Sequence, residues 1–154
     1  YSPRLPSGET YRRRLLAELN GKIDLSRVVF TGRLPYGQYL ELLRRSAVHV
    51  YLTYPFVLSW SMLEAMSAGC LVLGSRTAPV EEVIRDGENG LLVDFFDREA
   101  LAAAIDEALG RDLSSLREKA RQTVVQRFDL KTVCLPAQQR LVERLLSPPA
   151  KRAA

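Results

Sequence analysis

One carboxylate lies in a stretch that is otherwise apolar, aromatic or small, YPFVLSWSMLEAMSAGC at residues 54–70. The pattern predicts a helix with Ser59 as its N-cap, because a serine oxygen can accept a free backbone N–H. The free N–H groups at a helix start can hold a phosphate, and Ser61 adds a hydroxyl there. Glu64 follows roughly one and a half turns into the helix. At that place an ionised carboxylate can accept hydrogen bonds from two adjacent hydroxyls of a ribose.

The spacing alone supports a purely structural role better than a ligand-binding one. In the structural interpretation Ser59 only caps the helix, Trp60 packs against the protein and Glu64 faces water. A choice between the two therefore needs more than this one segment.

Composition excludes several classes of function. His49 is the only histidine, which excludes a histidine-based metal site or a Ser/His/Asp triad within these 154 residues. Cys70 and Cys134 are far apart in apolar surroundings, so we expect no disulfide framework and no metal ligand set. They indicate a reducing compartment, and we expect a cytoplasmic protein. No apolar run approaches the ~20 residues that cross a bilayer. The net charge of +4 suits a phosphate ligand or an anionic membrane surface equally.

Strand-like and helix-like segments alternate along the chain. Short apolar runs predict strands at 27–31, 47–52, 71–74 and 91–93. Helical patterns cover 9–19, 36–45, 59–67, 80–85, 98–109, 113–128 and 130–146, with Pro136 kinking or dividing the last. This order predicts an α/β fold, a Rossmann-like parallel sheet with flanking helices and extra C-terminal helices. Ligands of such sheets bind at the carboxyl ends of the strands, where residues 54–61 should lie.

Five segments, taken in order, resemble one known family. They are VVFTGRLPYGQYLELLRRSAVHVYL, MLEAMSAGCLVLGS, VEEVIRDGENGLLVD, DREALAAAIDEAL and RFDLKTV. Each is weak by itself, but their order resembles the C-terminal domain of retaining, GT-B-fold glycosyltransferases of family GT4. In these enzymes that domain binds a nucleotide-sugar donor, and an N-terminal domain binds the acceptor. The resemblance therefore favours the interpretation that Glu64 binds a ligand.

The family's donor motif is a pair of glutamates separated by seven residues. The second glutamate corresponds to Glu64, which by this resemblance bonds the nucleotide ribose. The first corresponds to Phe56, which cannot accept a hydrogen bond from the donor sugar. Ser59 and Trp60 stand at the helix start, where the resemblance implies backbone contacts to phosphate. No catalytic residue is assigned, and neither a metal nor a cofactor is expected.

A second predicted contact involves the turn after the first strand. The resemblance implies that the backbone of Gly32, Arg33 and Leu34 touches the nucleobase, and a plain loop is an equal alternative. The family domain normally opens with a strand, a "GR...KG" loop and a long helix, whose Arg and Lys hold the donor diphosphate. Residue 1 resembles a point after the second strand. We therefore expect residues 1–146 to be a partial donor-binding domain without its first strands, followed by a flexible tail at 147–154.

The resemblance implies that the chain is the donor-binding part of a retaining glycosyltransferase of the hexosyltransferase type. Its substrate would be a nucleotide diphosphate sugar, and a missing N-terminal domain would hold the sugar or lipid-linked acceptor. The 154 residues alone should then be inactive. Two alternatives stay open, a non-catalytic nucleotide-binding or interaction module and a GT-B-fold sugar-nucleotide epimerase. We expect no nucleic acid partner. Peripheral association with the inner face of the membrane and self-association through an exposed sheet edge are further options.

Overall fold

The computed structural model describes residues 5–54 and 58–146. The chain divides into two compact units, residues 1–34 and residues 35–154. The expected flexible tail at 147–154 lies outside the described residues. In the described part of the chain, no helix is both long enough and apolar enough to span a membrane.

The first unit is helical. Helix α1 covers Tyr11–Leu19, and a short 3-10 helix covers Leu25–Arg27. The strand expected at 27–31 is wrong, because residues 28–31 form no strand and Val29 is 80% exposed. A strand obtains its backbone hydrogen bonds from a neighbouring strand, and the described residues of this unit contain none. The apolar run is therefore present without the partner that would make it a strand.

The second unit is built on a parallel sheet. Strands β1 (Val48–Tyr51), β2 (Leu71–Ser75) and β3 (Leu91–Val93) lie in the order β1-β2-β3. Val48 pairs with Leu71, and Leu73 pairs with Leu91. Three of the four expected strands and their parallel arrangement are thus confirmed.

Helices connect and flank these strands. They are α2 (Tyr36–Arg45), α3 (Trp60–Ser67), α4 (Ala78–Glu81), α5 (Arg98–Gly110), α6 (Ser114–Phe128) and α7 (Leu135–Leu146). Helix α4 begins two residues before its predicted start, because Pro79 in its first turn needs no N–H partner. The predicted break near Pro136 is confirmed as a π-helical turn at Leu130–Cys134. That wider turn avoids a clash between the proline ring and the carbonyl four residues earlier.

The core lies on both faces of the sheet. Successive residues of a strand point to opposite faces, and all five residues of β2 are buried. Val72 belongs to a cluster with Met62 and Met66 of α3. Leu71 belongs to a second cluster, with Ala108 of α5. Burial on both sides explains why β2 reads as a continuous apolar run rather than an alternating one.

The turn between α4 and β3 is held by side chains. Asn89 is buried, and its Oδ1 accepts the Arg85 N–H at 2.7 Å while its Nδ2 donates to the Val83 carbonyl at 3.0 Å. Asp86 Oδ1 accepts the Leu92 N–H at 2.9 Å, which joins the turn to β3. Gly87 supplies the positive φ of 72° that this turn requires.

We expect Gly90→Ala to destabilise the protein by about 1–3 kcal/mol through overpacking. A Cβ at position 90 would lie 2.9 Å from Ile84 Cγ2 and 3.1 Å from the Val72 carbonyl oxygen. Gly110→Ala is the matched control, because nothing lies within 4 Å of a Cβ there. Urea denaturation of both variants measures the difference. Equal unfolding free energies for the two variants would contradict this packing.

His49 lies within β1 and is half-buried. Its Nε2 is buried and has no hydrogen-bond partner among the described residues. Burial lowers the pKa of its imidazole below the ordinary value of 6.5. The unfolded chain therefore binds this proton more tightly than the folded protein does.

The His49 contribution to stability should be complete above about pH 6.5 and be lost as the pH falls below it. We expect His49→Gln to flatten the fall in unfolding free energy between pH 7.5 and 5.5. NMR titration of the single imidazole in the native protein should give a pKa below 6.5. A native-state pKa at or above that value, or an unchanged pH dependence in the variant, would contradict the prediction.

Candidate functional site

The start of α3 lies next to the carboxyl end of β1. The Ser59 N–H donates to the hydroxyl of Tyr51, the last residue of β1, at 2.9 Å. Ser59 Oγ accepts the Ser61 N–H at 3.3 Å, which confirms Ser59 as the N-cap. The Ser59 and Ser61 hydroxyls are 3.1 Å apart. Two hydroxyls and the positive end of a helix dipole therefore lie at the edge of the sheet where α/β folds bind ligands.

A buried serine fixes the chain that leaves β1 toward this helix. Ser75, the last residue of β2, is fully buried. Its Oγ donates to the Thr53 carbonyl at 2.6 Å and accepts the Thr53 N–H at 2.9 Å. One side chain thus satisfies both backbone groups of a residue beyond the end of β1. This role was not predicted from the sequence, although a serine at the carboxyl end of an apolar strand is a usable signal.

Glu64 is half-buried in the second turn of α3. Its Oε1 accepts the hydroxyl of Tyr36, the first residue of α2, at 3.0 Å. This hydrogen bond is the main cause that raises the pKa of Tyr36 above its ordinary value of 10.0. Burial is the largest cause that raises the pKa of Tyr39, and the Glu64 charge raises this pKa further. The carboxylate therefore faces two phenols and not only water.

A groove of about 370 Å³ opens beside Glu64. Its lining comes from three helices and consists of Tyr36, Leu40, Arg44, Glu64, Ser67, Ala68 and Arg121. Tyr36 lies at the surface, 62% exposed, and its hydroxyl donates to the carboxylate. No local signal in the sequence indicates this pairing, because the two residues are 28 positions apart.

Trp60 does not pack as the structural interpretation expected, since it is 81% exposed at the start of α3. The position of Phe56 lies outside the described residues. Gly32, Arg33 and Leu34 belong to the first unit. There Gly32 has a φ of 63°, Arg33 is exposed and Leu34 is half-buried. The second unit thus brings together Ser59, Trp60, Ser61 and Glu64, all of them at α3.

Within residues 5–54 and 58–146, no group of three or more histidine, cysteine or acidic side chains is placed to hold a metal ion. The polar groups at α3 are hydroxyls, helix N–H groups and one carboxylate. Such a set can bind a phosphate and a diol. It contains no pair of a nucleophile and a base.

The family model "Glycosyl transferases group 1" matches residues 8–126 of this chain. The chain belongs to the glycosyl transferases group 1 family. It is 32% identical over 108 residues to D-inositol 3-phosphate glycosyltransferase of Acidothermus cellulolyticus. That match covers 68% of this chain and 24% of the relative. The chain spans between 22% and 34% of the length of the curated family relatives that it matches.

Solved structures of glycosyltransferases share the fold. Anabaena HepE, solved in complex with UDP, superposes with a TM-score of 0.74 at 23% identity, covering 88% of this chain and 36% of HepE. The C-terminal domain of LpcC, a group 1 family protein from Francisella tularensis, gives a TM-score of 0.69 at 18% identity, with 79% of this chain and 64% of that domain covered. The parallel sheet with flanking helices thus matches the C-terminal domains of GT-B glycosyltransferases, which confirms the expected fold class.

Proposed function

We propose that this chain binds the nucleotide diphosphate sugar of a retaining glycosyltransferase of family GT4. The observation that carries the proposal is Glu64, a half-buried carboxylate in α3 whose N-terminus opens at the carboxyl end of the sheet. Membership in the group 1 family supports it. So do the complexes of Anabaena HepE with UDP and with UDP-glucose. No cofactor or metal is proposed.

In this proposal each group at α3 has one task. Glu64 accepts the ribose hydroxyls, since an ionised carboxylate offers about four acceptor positions. The backbone N–H groups of Ser59 and Trp60, with the Ser61 hydroxyl, bind the diphosphate at the positive end of the helix. The protein contributes fixed dipoles that stabilise the departing diphosphate.

The acceptor side of the reaction is proposed to lie outside this chain. Residues 1–146 would form part of a C-terminal donor domain, and an N-terminal domain of the whole protein would hold a sugar or lipid-linked acceptor. The share of its relatives that the chain spans supports this arrangement. The transferred group would be a hexose. The proposed location is the cytoplasm or the inner face of the membrane, and the free thiols of Cys70 and Cys134 suit a reducing compartment.

The free edge of β1 supports self-association as a further proposal. In the described sheet β1 pairs with β2 alone, so its other edge has no strand beside it. Val50 on this strand is exposed. An unpaired strand edge presents backbone groups that can pair with another chain.

A non-catalytic nucleotide-binding module is the second candidate. It is favoured by Phe56, which stands where the family motif has the glutamate that contacts the donor sugar. Such a module would bind the nucleotide through Glu64 without transferring a sugar. Turnover of labelled nucleotide sugars by the intact protein separates the two candidates.

We expect Glu64→Gln to weaken UDP binding by about 1–2 kcal/mol. The amide keeps the shape but loses the charge, and a charge-assisted hydrogen bond is about twice as strong as a neutral one. Titration calorimetry with UDP measures the loss. Glu107→Gln is the control, because the Glu107 carboxylate of α5 forms an ion pair with Arg111, the residue that follows this helix. UDP affinity that is equal in the two variants would show that Glu64 is a plain helix residue.

We also expect the purified 154-residue chain to show no glycosyl transfer from any nucleotide sugar, because we propose that another domain binds the acceptor. A radiolabel transfer assay with UDP-glucose and simple sugar acceptors tests this. The positive control is the intact protein under the same conditions. Product formed by the 154 residues alone would disprove the proposal that another domain is needed to bind the acceptor.

A further inference from the structure

The hydrogen bond between Tyr36 and Glu64 joins two helices at a surface position. Tyr36 begins α2, and its hydroxyl lies 3.0 Å from Oε1 of Glu64 in α3. Tyr36 is 62% exposed, so burial does not explain the position of its side chain. A glutamate side chain without such a contact samples several rotamers and loses that freedom when it binds a ligand. A phenol already bonded to the carboxylate removes part of this loss before the ligand arrives.

The contact leaves acceptor capacity on the carboxylate. An ionised carboxylate has two oxygens with about four lone-pair positions, and Tyr36 uses one of them. The remaining positions on Oε1 and Oε2 can accept two hydroxyls of a vicinal diol. The ring centroids of Tyr36 and Tyr39 are 6.2 Å apart, and contacts with Glu64 contribute to the raised pKa of both phenols. The two rings are therefore neighbours near the carboxylate, and Tyr36 lines the groove beside it.

We propose that Tyr36 is a positioning residue, which holds the Glu64 carboxylate in the orientation that accepts both hydroxyls of a ribose. The inference rests on the proposed function, because it takes Glu64 to be the ribose ligand. Through this contact the site selects a ribonucleotide over a 2′-deoxyribonucleotide. A deoxyribose lacks one of the two hydroxyls and therefore gains less from a carboxylate held in place.

The test measures the affinities of UDP and of 2′-deoxy-UDP by titration calorimetry. The proteins are the native chain, Tyr36→Phe, Glu64→Gln and the double variant. We expect native protein to prefer UDP by about tenfold, the value of one hydrogen bond to a charged group. Tyr36→Phe should weaken UDP binding by about threefold to tenfold, as one side chain loses its preorganisation. It should change the affinity of 2′-deoxy-UDP by less than about twofold.

The double variant separates positioning from a general structural effect. In the Glu64→Gln background, Tyr36→Phe should have no further effect, because the two residues act through one contact. Tyr11→Phe in α1 is the matched control, an exposed tyrosine that should leave both affinities unchanged. Thermal melts of all variants check that the fold is intact.

If Glu64→Gln weakens UDP binding, three results would overturn this inference and leave the proposed function intact. They are an unchanged UDP affinity in Tyr36→Phe, an equal loss for the two nucleotides, and a gain in UDP affinity, which would mean that Tyr36 competes with the ribose. If Glu64→Gln leaves UDP affinity unchanged, the proposed ribose ligand is wrong, and this inference is wrong with it. The same holds if millimolar UDP does not bind the native protein.

Discussion

Every residue of β2 is buried, so each of its backbone and side-chain groups must be satisfied inside the protein. This constraint shapes the elements around it. A Cβ at Gly74 would lie 3.0 Å from Val80 Cγ1, so the close approach of α4 to the strand depends on glycine. The polar residue of the strand, Ser75, has both of its hydrogen-bonding roles filled by Thr53. Because Thr53 follows β1, satisfying the buried strand also fixes the direction in which the chain leaves toward α3.

Helix α6 contacts the rest of the second unit through apolar side chains, among them the buried Ala120, and through three arginines. Arg117 donates to the Ala47 carbonyl at 2.7 Å, and Arg127 donates to the Glu82 carbonyl at 3.0 Å. Arg121 donates to the carbonyl of Ser67, the last residue of α3. Cations at helix C-termini satisfy free carbonyls and interact favourably with the helix dipole. Part of the positive charge of the chain is thus engaged in holding helix ends in place.

These two sets of contacts hold α3 at both ends. Its N-terminus is set by Tyr51 and Ser59 beside β1, and its C-terminus by Arg121 of α6. Met62, Ala65 and Met66 are buried, so the helix cannot rotate without opening the core. Glu64 is therefore presented on a fixed helix toward Tyr36. A rigid helix that carries one carboxylate beside free N–H groups is the arrangement that the proposed donor site needs.

Features that depend on local pattern could be predicted from the amino-acid sequence. Apolar runs gave β1, β2 and β3, the serine before an apolar helix gave the N-cap at Ser59, and Pro136 marked the break before α7. The order of short motifs was enough to indicate the family and to select Glu64.

Features that need partners distant in the chain depend on how the helices and strands pack. Residues 28–31 are as apolar as the true strands but form none, because a strand exists only beside another strand. Ser75 and Thr53 are 22 residues apart, and Tyr36 and Glu64 are 28 apart. No periodicity in a sequence encodes such pairs. They arise when the packing of α2 and α3 on the buried sheet brings the two side chains within hydrogen-bond distance.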